Sequence, residues 1–310
     1  MSVSVTNPAP ATDANAMAKK KRRTFPPVVE EPKKNTQHAP SSFPASGTRW
    51  ELVALFLIIA VGGTYVAVWM RPMNAIPEFG YRVINKYPHD KEAFTQGLLF
   101  HDDFLYESTG LEKQSSLRKV DLKTGEVLKR LKLDDKLFGE GLTRFDDQFI
   151  QLTWQNRTGI VYRETEDGFE EIKRFPIDHD GWGITDDGKK LIVSDGTANL
   201  RFLDPDSFEE VGRLFVRRKD RRILGQLNEL EHFGSKIYAN IYRSDKIYRI
   251  DDQTGDVEAI IDLAGLWPIS ERPDRQSVIN GIAIKPGSKR KMWVTGKLCP
   301  YIYEIEIVPQ

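Results

Sequence analysis

Between residues 94 and 310 apolar and polar residues alternate in short runs, and turns rich in Asp or Gly separate these runs. Period-two alternation between such turns is typical of β-hairpins. Five of the runs follow a similar turn; they read FLYES, QFIQLTW, KLIVSDG, KIYANIY and KMWVTGK. No long amphipathic helical pattern interrupts them. The pattern therefore predicts an all-β region.

A short motif precedes each of these runs: a polar or aromatic residue, then usually Gly, then Leu or Ile. Its copies lie 42 to 52 residues apart: Gln96-Gly97-Leu98, Glu140-Gly141-Leu142, Trp182-Gly183-Ile184, Asn228-Glu229-Leu230 and Asn280-Gly281-Ile282. A second hairpin follows in most units, so each unit offers four short strands. Four-stranded repeats of this length indicate a β-propeller, and five copies predict five blades. A β-sandwich or a solenoid would leave the two-hairpin rhythm unexplained.

Two segments flank the repeats, YRVINKY at 81–87 and YIYEIEI at 301–307. We expect one to complete a blade with the other. Such pairing closes the ring and removes exposed sheet edges.

The longest apolar run, Leu52–Met70, has nineteen residues without a charge, enough for a helix to cross the hydrocarbon core of a bilayer. Basic residues outnumber acidic ones before it, which predicts a cytoplasmic N-terminus. We expect a disordered cytoplasmic tail at 1–49, one transmembrane helix at 50–71, a linker at 72–80 and the five-bladed propeller at 81–310. The propeller would then be membrane-anchored and extracytoplasmic, in the periplasm or at the cell exterior. A cleaved signal peptide and a buried soluble helix are the alternatives.

Composition narrows the function classes. Lys plus Arg number 45 and Asp plus Glu number 45, so the basic excess of a nucleic-acid-binding protein is absent. The single cysteine, Cys299, excludes an intramolecular disulfide and a thiolate-cluster metal site. The five histidines lack zinc-ligand spacing, so we expect no metal and no cofactor. A calcium site of oxygen ligands is the alternative, and its candidate ligands are Glu140, Asp195, Asn228 and Asn280.

In a propeller the repeated motif lies at the start of the innermost strand, so its five copies meet at one mouth of the central channel. Their first residues are Gln96, Glu140, Trp182, Asn228 and Asn280. The second strands run antiparallel and return to the same mouth with Ser108, Trp154, Asp195, Asn240, Tyr242 and Lys297. This set contains an acid–base candidate, Glu140, and a cation, Lys297. Alternatively, these two residues form a structural ion pair and the tryptophans pack between blades.

Several motifs resemble the glutaminyl-peptide cyclotransferases of the plant and bacterial type. They occur in all five units: FTQGLLF (94–100), FGEGLT (138–143), QLTW (151–154), GWGITDDG (181–188), LNELE (227–231) and TGKLCP (295–300). The resemblance implies a five-bladed propeller that converts N-terminal glutamine to pyroglutamate and releases ammonia without a metal. It places Gln96, Glu140, Trp154, Trp182, Asn228 and Lys297 in the pocket, with Phe94 and Phe138 beside them. Tyr242 and Cys299 stand where the family commonly has Trp, and both changes could widen the pocket.

The expected chemistry needs one proton shuttle and a donor for the oxyanion. Glu140 would take a proton from the attacking α-amine and return it to the departing ammonia, while Lys297 or Asn228 would stabilise the tetrahedral oxyanion. Phe94, Gln96, Phe138, Trp154, Trp182, Tyr242 and Asn280 would bind the substrate. We expect a monomer that acts on N-terminal glutamine peptides, contacts the membrane through one helix and binds no nucleic acid. The alternatives are a non-catalytic exported propeller that binds a ligand or a partner protein and, less favoured, a calcium-dependent lactonase-like hydrolase.

Overall fold

The computed structural model describes residues 58–61, 64–67, 75–218, 223–288 and 290–310. Within these residues the regular structure is almost entirely β, and the one helical element is a short 3₁₀ turn at Ile269–Glu271. The prediction of an all-β fold is therefore confirmed. The tail at 1–49 lies outside the described residues, and the domain boundaries stay predictions.

The described part of the long apolar run is a β-hairpin. Strands β1 (Ile58–Val61) and β2 (Thr64–Ala67) pair antiparallel, with Val61 opposite Thr64. The prediction of a transmembrane helix at 50–71 is wrong. In the sequence, Gly62 and Gly63 separate two runs that contain β-branched residues, and this hairpin signal outweighs the length of the apolar run. No helix in the described part of the chain is long and apolar enough to cross a membrane.

The next strand, β3 (Glu78–Pro88), precedes the repeats. Three repeat units then form separate four-stranded antiparallel sheets, each with its strands in sequence order. The first sheet contains β4 (Thr95–His101), β5 (Phe104–Thr109), β6 (Ser116–Val120) and β7 (Val127–Lys132). The second contains β8 (Gly139–Phe145), β9 (Gln148–Thr153), β10 (Thr158–Glu164) and β11 (Phe169–Pro176). The third contains β12 (Ile184–Asp186), β13 (Leu191–Ser194), β14 (Asn199–Leu203) and β15 (Glu210–Phe215).

The last two units share one eight-stranded sheet because β3 joins them. The fourth unit contains β16 (Leu227–His232), β17 (Lys236–Ile241), β18 (Lys246–Asp251) and β19 (Val257–Asp262). The fifth contains β20 (Ile279–Ala283), β21 (Lys291–Gly296), β22 (Tyr301–Pro309) and β3. Strand β3 pairs antiparallel with β22 along its length, which is the pairing expected of the two flanking segments. It also makes a short parallel contact with β19.

The first strands of the five units pack side by side in a closed order, β4, β8, β12, β16, β20 and again β4. Five four-stranded sheets around such a ring form the five blades of a β-propeller. The apolar core lies between neighbouring blades, where residues such as Leu142, Ile160 and Trp267 are buried. The ring of first strands surrounds the axis and positions the repeated motifs.

Glycine in the repeated motif permits this close packing. A Cβ atom at Gly97 would lie 2.4 Å from the Leu142 nitrogen, and one at Gly183 would lie 2.0 Å from the Asn228 carbonyl oxygen. The fourth blade has Glu229 at this position. Its carboxyl group accepts N–H bonds from Leu98 (3.3 Å) and Ile282 (2.9 Å), and so links the fourth blade to the first and the fifth.

Candidate active site

Backbone irregularities occur at the repeated motifs. In four of the blades the pairing of the first two strands shifts register at the motif, between Thr95 and Gly97, Gly139 and Leu142, Leu227 and Leu230, and Ile279 and Ile282. A β-bulge redirects a side chain out of the regular alternation. In these four blades the first residue of the motif therefore lies outside the regular strand pairing. All four of these positions are at the start of a first strand.

Glu140 is the buried carboxyl group at this mouth, with 5% of its surface exposed. None of the described residues donates a hydrogen bond to its carboxyl oxygens. Burial raises the pKa of Glu140 to about 8, Lys297 opposes that rise, and Asp180 adds to it. At neutral pH the group is thus close to its own titration point, as a proton shuttle requires.

Lys297 is buried to a similar degree, with 4% of its surface exposed. Its ammonium nitrogen lies 5.0 Å from the centre of the Phe94 ring and 5.2 Å from that of Tyr242. Burial lowers the pKa of Lys297 to about 8, and the nearby Glu140 opposes this change. The charges of the two residues act on each other, but no ion pair joins Lys297 to Glu140 or to another described acid. The alternative of a structural Glu140–Lys297 ion pair is therefore not what the structure contains.

Aromatic rings form two walls of the mouth. On one side the Phe138 ring meets the Phe94 ring edge-on at 6.0 Å and the Trp154 ring at 5.5 Å. On the other side the Trp182 and Tyr242 rings meet at 5.8 Å and 79°. Both tryptophans are partly exposed, unlike the fully buried core residue Trp267. Their partly exposed rings can therefore contact a ligand, which a tryptophan enclosed between blades could not do.

Two amide side chains of the repeated motifs retain unused hydrogen-bonding capacity. The Oδ1 atoms of Asn228 and Asn280 are buried and have no hydrogen-bond partner among the described residues. The Asn280 Nδ2 atom donates to the Thr95 carbonyl oxygen at 3.1 Å and to Gln96 Oε1 at 3.5 Å. A buried polar atom without a partner is costly, so these two oxygens indicate a polar ligand or ordered water at the mouth.

Other residues expected at this mouth have structural partners instead. The Ser108 hydroxyl group donates to the Glu140 carbonyl oxygen and accepts a bond from Gln151, so it anchors the Glu140 backbone. Asn240 Oδ1 accepts the Gly281 N–H at 3.0 Å, whereas its buried Nδ2 atom has no hydrogen-bond partner among the described residues. Asp195 forms an ion pair with Arg201 at 2.9 Å. Across the described ranges no three His, Cys, Asp or Glu side chains are grouped as metal ligands. The alternative calcium site would have to form without a cluster of acids.

Cys299 does not belong to the pocket wall. Its side chain is fully buried in the apolar core of the fifth blade, beside residues such as Trp267 and Ile305. Cys299 is thus a core residue, and its side chain does not set the width of the pocket directly. Tyr242, in contrast, lies between Trp182 and Lys297 and faces the mouth directly.

Two contributors were missed at the sequence level. Asp180 raises the pKa of Glu140, and its carboxyl group lies 3.7 Å from the Arg157 guanidinium. Gly196, at φ +79°, lies against the Trp182 ring, where a Cβ atom would come within 2.9 Å of the indole. The position of Asp180 two residues before Trp182 was the available signal. Nothing local to Gly196 indicates its contact.

Comparison with known proteins gives consistent matches. The sequence profile described as glutamine cyclotransferase matches residues 55–307. A glutaminyl-peptide cyclotransferase of Arabidopsis thaliana is 41% identical over 233 residues, which cover 73% of this chain and 70% of the relative. The crystal structure of Myxococcus xanthus glutaminyl cyclase superposes with a TM-score of 0.71 at 32% identity, covering 76% of this chain and all of that one.

Proposed function

Because the chain belongs to the glutamine cyclotransferase family, we propose that the mouth carrying Glu140 and Lys297 converts the N-terminal glutamine of a peptide into pyroglutamate. The prediction of this family and of its activity from the sequence motifs is confirmed by the matches. The observation that supports the site most directly is a buried carboxyl group that has no hydrogen-bond partner among the described residues and lies near a buried lysine.

Glu140 moves the proton. The α-amine of the glutamine attacks its side-chain amide carbon, which closes a five-membered ring and finally breaks the bond to the amide nitrogen. Glu140 accepts the proton that the α-nitrogen loses and gives it to the departing nitrogen, which leaves as ammonia. The pKa of Glu140, about 8, is close to the value of about 7.7–8.0 for a free α-amine. A proton of the α-ammonium form of the substrate can therefore pass to the Glu140 carboxylate at little cost in free energy, which supplies the neutral amine.

Lys297 stabilises the oxyanion. The tetrahedral intermediate carries a negative charge on the former amide oxygen, and a buried ammonium group offers donors in a site of low dielectric constant. The unpartnered Oδ1 atoms of Asn228 and Asn280 are acceptors, suited to the N–H groups of the glutamine amide or the α-amine. The ammonium group of Lys297 thus binds the oxygen of the glutamine amide, and the two acceptors bind N–H groups, so the amide is held in one orientation.

The aromatic walls hold the glutamine side chain in its reactive conformation. Trp154 and Phe138 on one side and Trp182 and Tyr242 on the other offer apolar surface to its methylene groups. The reacting amine and amide belong to one residue, so selecting the folded rotamer supplies most of the proximity effect. Excluding water from the same space disfavours hydrolysis of the amide to glutamate.

The test is ammonia release by the full chain from a dipeptide with N-terminal glutamine, assayed with and without excess EDTA. A dipeptide with N-terminal asparagine is the matched control, because its shorter side chain would have to form a strained four-membered ring. We expect ammonia and a pyroglutamyl product from the glutamine dipeptide alone, in both buffers. Binding of the glutamine dipeptide without ammonia release would favour a non-catalytic propeller. Loss of activity in EDTA that calcium restores would favour an oxygen-ligated metal site.

Location and assembly stay predictions. The extracytoplasmic location was deduced from a helix at 50–71, where the described residues form a β-hairpin instead, so it now needs direct evidence from fractionation of cells producing the full chain. The predicted monomer is tested by light scattering of the purified chain. Recovery of the activity with cytoplasmic markers, or a mass of two or more chains, would contradict these predictions.

A further inference from the structure

A buried charged cluster lies behind the active-site mouth. Glu107 on β5 and Arg118 on β6 are buried side chains, and His89 lies in the segment between β3 and β4. The side chains of His89 and Glu107 are only 2% and 1% exposed. An Arg118 nitrogen lies 3.6 Å from Glu107 Oε2 and donates to Asp90 at 2.8 Å. The mechanism uses none of these groups, although burying them is costly.

The hydrogen bonds of His89 determine its protonation. Its Nδ1 atom lies 2.7 Å from the Cys299 carbonyl oxygen, which can only accept. The Thr295 hydroxyl group lies farther from Nδ1, at 3.4 Å, and donates its own proton to the Tyr301 carbonyl oxygen at 2.8 Å. The Nε2 atom of His89 lies 3.0 Å from Glu107 Oε1, which also accepts the Thr95 hydroxyl group at 2.7 Å. When Glu107 is a carboxylate it can only accept, so both ring nitrogens carry hydrogen, and a histidine with two N–H groups is a cation.

The electrostatic surroundings agree with this assignment. Burial lowers the pKa of His89, but the Glu107 carboxylate raises it, and the net direction is upward despite the opposing charge of Arg118. Burial raises the pKa of Glu107, yet His89 and Arg118 bring it below its ordinary value. The remaining titratable groups nearby are Asp90, which Arg118 binds, and the Cys299 thiol, whose pKa burial raises to about 11.

The carbonyl group that His89 binds belongs to the segment carrying Lys297. This turn between β21 and β22 is also fastened to the chain near His89 by two backbone bonds. The His89 N–H donates to the Pro300 carbonyl oxygen at 3.0 Å, and the Leu298 N–H donates to that of Ala93 at 2.7 Å. Leu298 is at φ +64°, an unfavourable conformation for a leucine that its surroundings must maintain. Lys297 itself pairs with Phe94.

We propose that Glu107 keeps His89 protonated and that His89, through the Cys299 carbonyl group, positions Lys297 for the cyclisation. His89 is thus a positioning residue, because it touches neither the substrate space nor Glu140. The inference rests on the proposed role of Lys297. The proposal connects the buried His89–Glu107 pair, next to the first blade, with Lys297 in the fifth blade.

A double-mutant cycle tests the connection. His89→Gln keeps an N–H donor but cannot carry the charge, and Lys297→Met removes the group that His89 is proposed to position. We expect His89→Gln to lower kcat about tenfold or more in the native chain with little change in KM, and to have almost no effect on kcat in the Lys297→Met chain. Equal losses in both backgrounds, or no loss in the native chain, would overturn the proposal.

His232→Gln is the matched control. His232 also pairs with a carboxylate, Asp252 at 2.9 Å, but it lies at the end of β16 away from Lys297. We expect its effect on kcat to be small and the same in both backgrounds. If Lys297→Met alone leaves kcat unchanged, the proposed role of Lys297 fails; if it lowers kcat and the cycle is additive, only the inference about His89 fails.

Two further measurements test the proposal if His89→Gln does not fold. Glu107→Gln removes the carboxylate and leaves the imidazole, so it should show the same dependence on Lys297. Nitrogen-15 NMR of the native chain reports the protonation of His89 directly. Equivalent, doubly protonated ring nitrogens at pH 7.5 are expected, and a neutral tautomer would contradict the proposal.

Discussion

The two ends of the central channel each hold a carboxyl group with a similarly raised pKa. Glu140 lies at the start of β8, and Glu231 lies near the end of β16, at the opposite mouth. Burial raises the pKa of each to about 8. Glu231, however, accepts the Ile284 N–H at 2.9 Å, whereas Glu140 has no bond to its carboxyl oxygens from a described residue.

The residues around the two glutamates differ as well: polar groups surround Glu231, and aromatic rings lie at the mouth that holds Glu140. The far mouth contains a cavity of about 330 Å³ lined mostly by polar residues, including Thr143, Asp186 and His232. Asp186 is satisfied there by the Thr143 hydroxyl group and the Gly188 N–H. The near mouth has paired aromatic walls and unpartnered amide oxygens. A shifted pKa alone therefore does not identify the active site; the buried carboxyl group must also lack a structural partner and face apolar walls.

The largest expected difference between the ends is in turnover. Glu140→Gln should lower kcat by about 10²–10⁴-fold, because it removes the proton shuttle, while KM changes little. Glu231→Gln is the matched control and should retain near-native kcat. Ammonia release measures both. A native kcat for Glu140→Gln, or an equal loss for Glu231→Gln, would remove the distinction between the two mouths.

The cations allow the same comparison with a smaller effect. Lys297→Met should lower kcat by about 10²–10³-fold, the usual result of removing an oxyanion donor. Arg144, which lines the cavity at the far mouth, provides the control as Arg144→Met, with kcat expected to be unchanged. If Lys297→Met raised only KM, the lysine would bind substrate without stabilising the transition state.

Two glycines with the same φ separate backbone strain from pocket shape. Gly196 and Gly188 are both at φ +79°, but only a Cβ atom at Gly196 would meet the Trp182 ring. Alanine at either position should cost about 1–3 kcal/mol of stability through strain. Only Gly196→Ala should also raise KM, by roughly threefold to tenfold, the effect of about 1 kcal/mol of lost packing. Similar KM values in both variants would show that Trp182 does not contact substrate.

The smallest expected effect is a pH dependence of stability, which Glu140 and Glu231 should share. For each glutamate the pKa is about 8 in the fold against an ordinary value of 4.5, so the folded chain retains a proton that the unfolded chain loses between those pH values. Stability therefore falls as pH rises through this window, and a Gln substitution removes that loss. The Tm of either variant relative to the native chain should rise between pH 5 and 8, by about 2–4 °C per kcal/mol of linkage. A Tm difference that is independent of pH would contradict the raised pKa.

The local pattern of the sequence was sufficient to predict the five blades. Hairpin turns, period-two alternation and the recurring motif are short-range features, and each blade is built from consecutive strands. Strand register also predicted that Glu140, Asn228 and Asn280 belong to one mouth of the channel, and their roles there stay predictions. The run at 52–70 misled because apolar length indicates a helix while Gly62-Gly63 indicates a turn, and length received more weight.

Contacts between distant residues could be decided only by the folded chain. Asp195 was expected at the mouth, but its pairing with Arg201 depends on side-chain direction, which the motif does not specify. Glu140 and Glu231 are both acids on first strands. Glu231 accepts a hydrogen bond from Ile284 of the neighbouring blade, whereas the carboxyl group of Glu140 has no such partner among the described residues. His89 meets the carbonyl group of a residue 210 positions later. The sequence by itself thus determined the repeat and the residue types at the mouth, because these are local; hydrogen-bond partners and charge states arise only where the ring closes, because they depend on which distant atoms share a buried space.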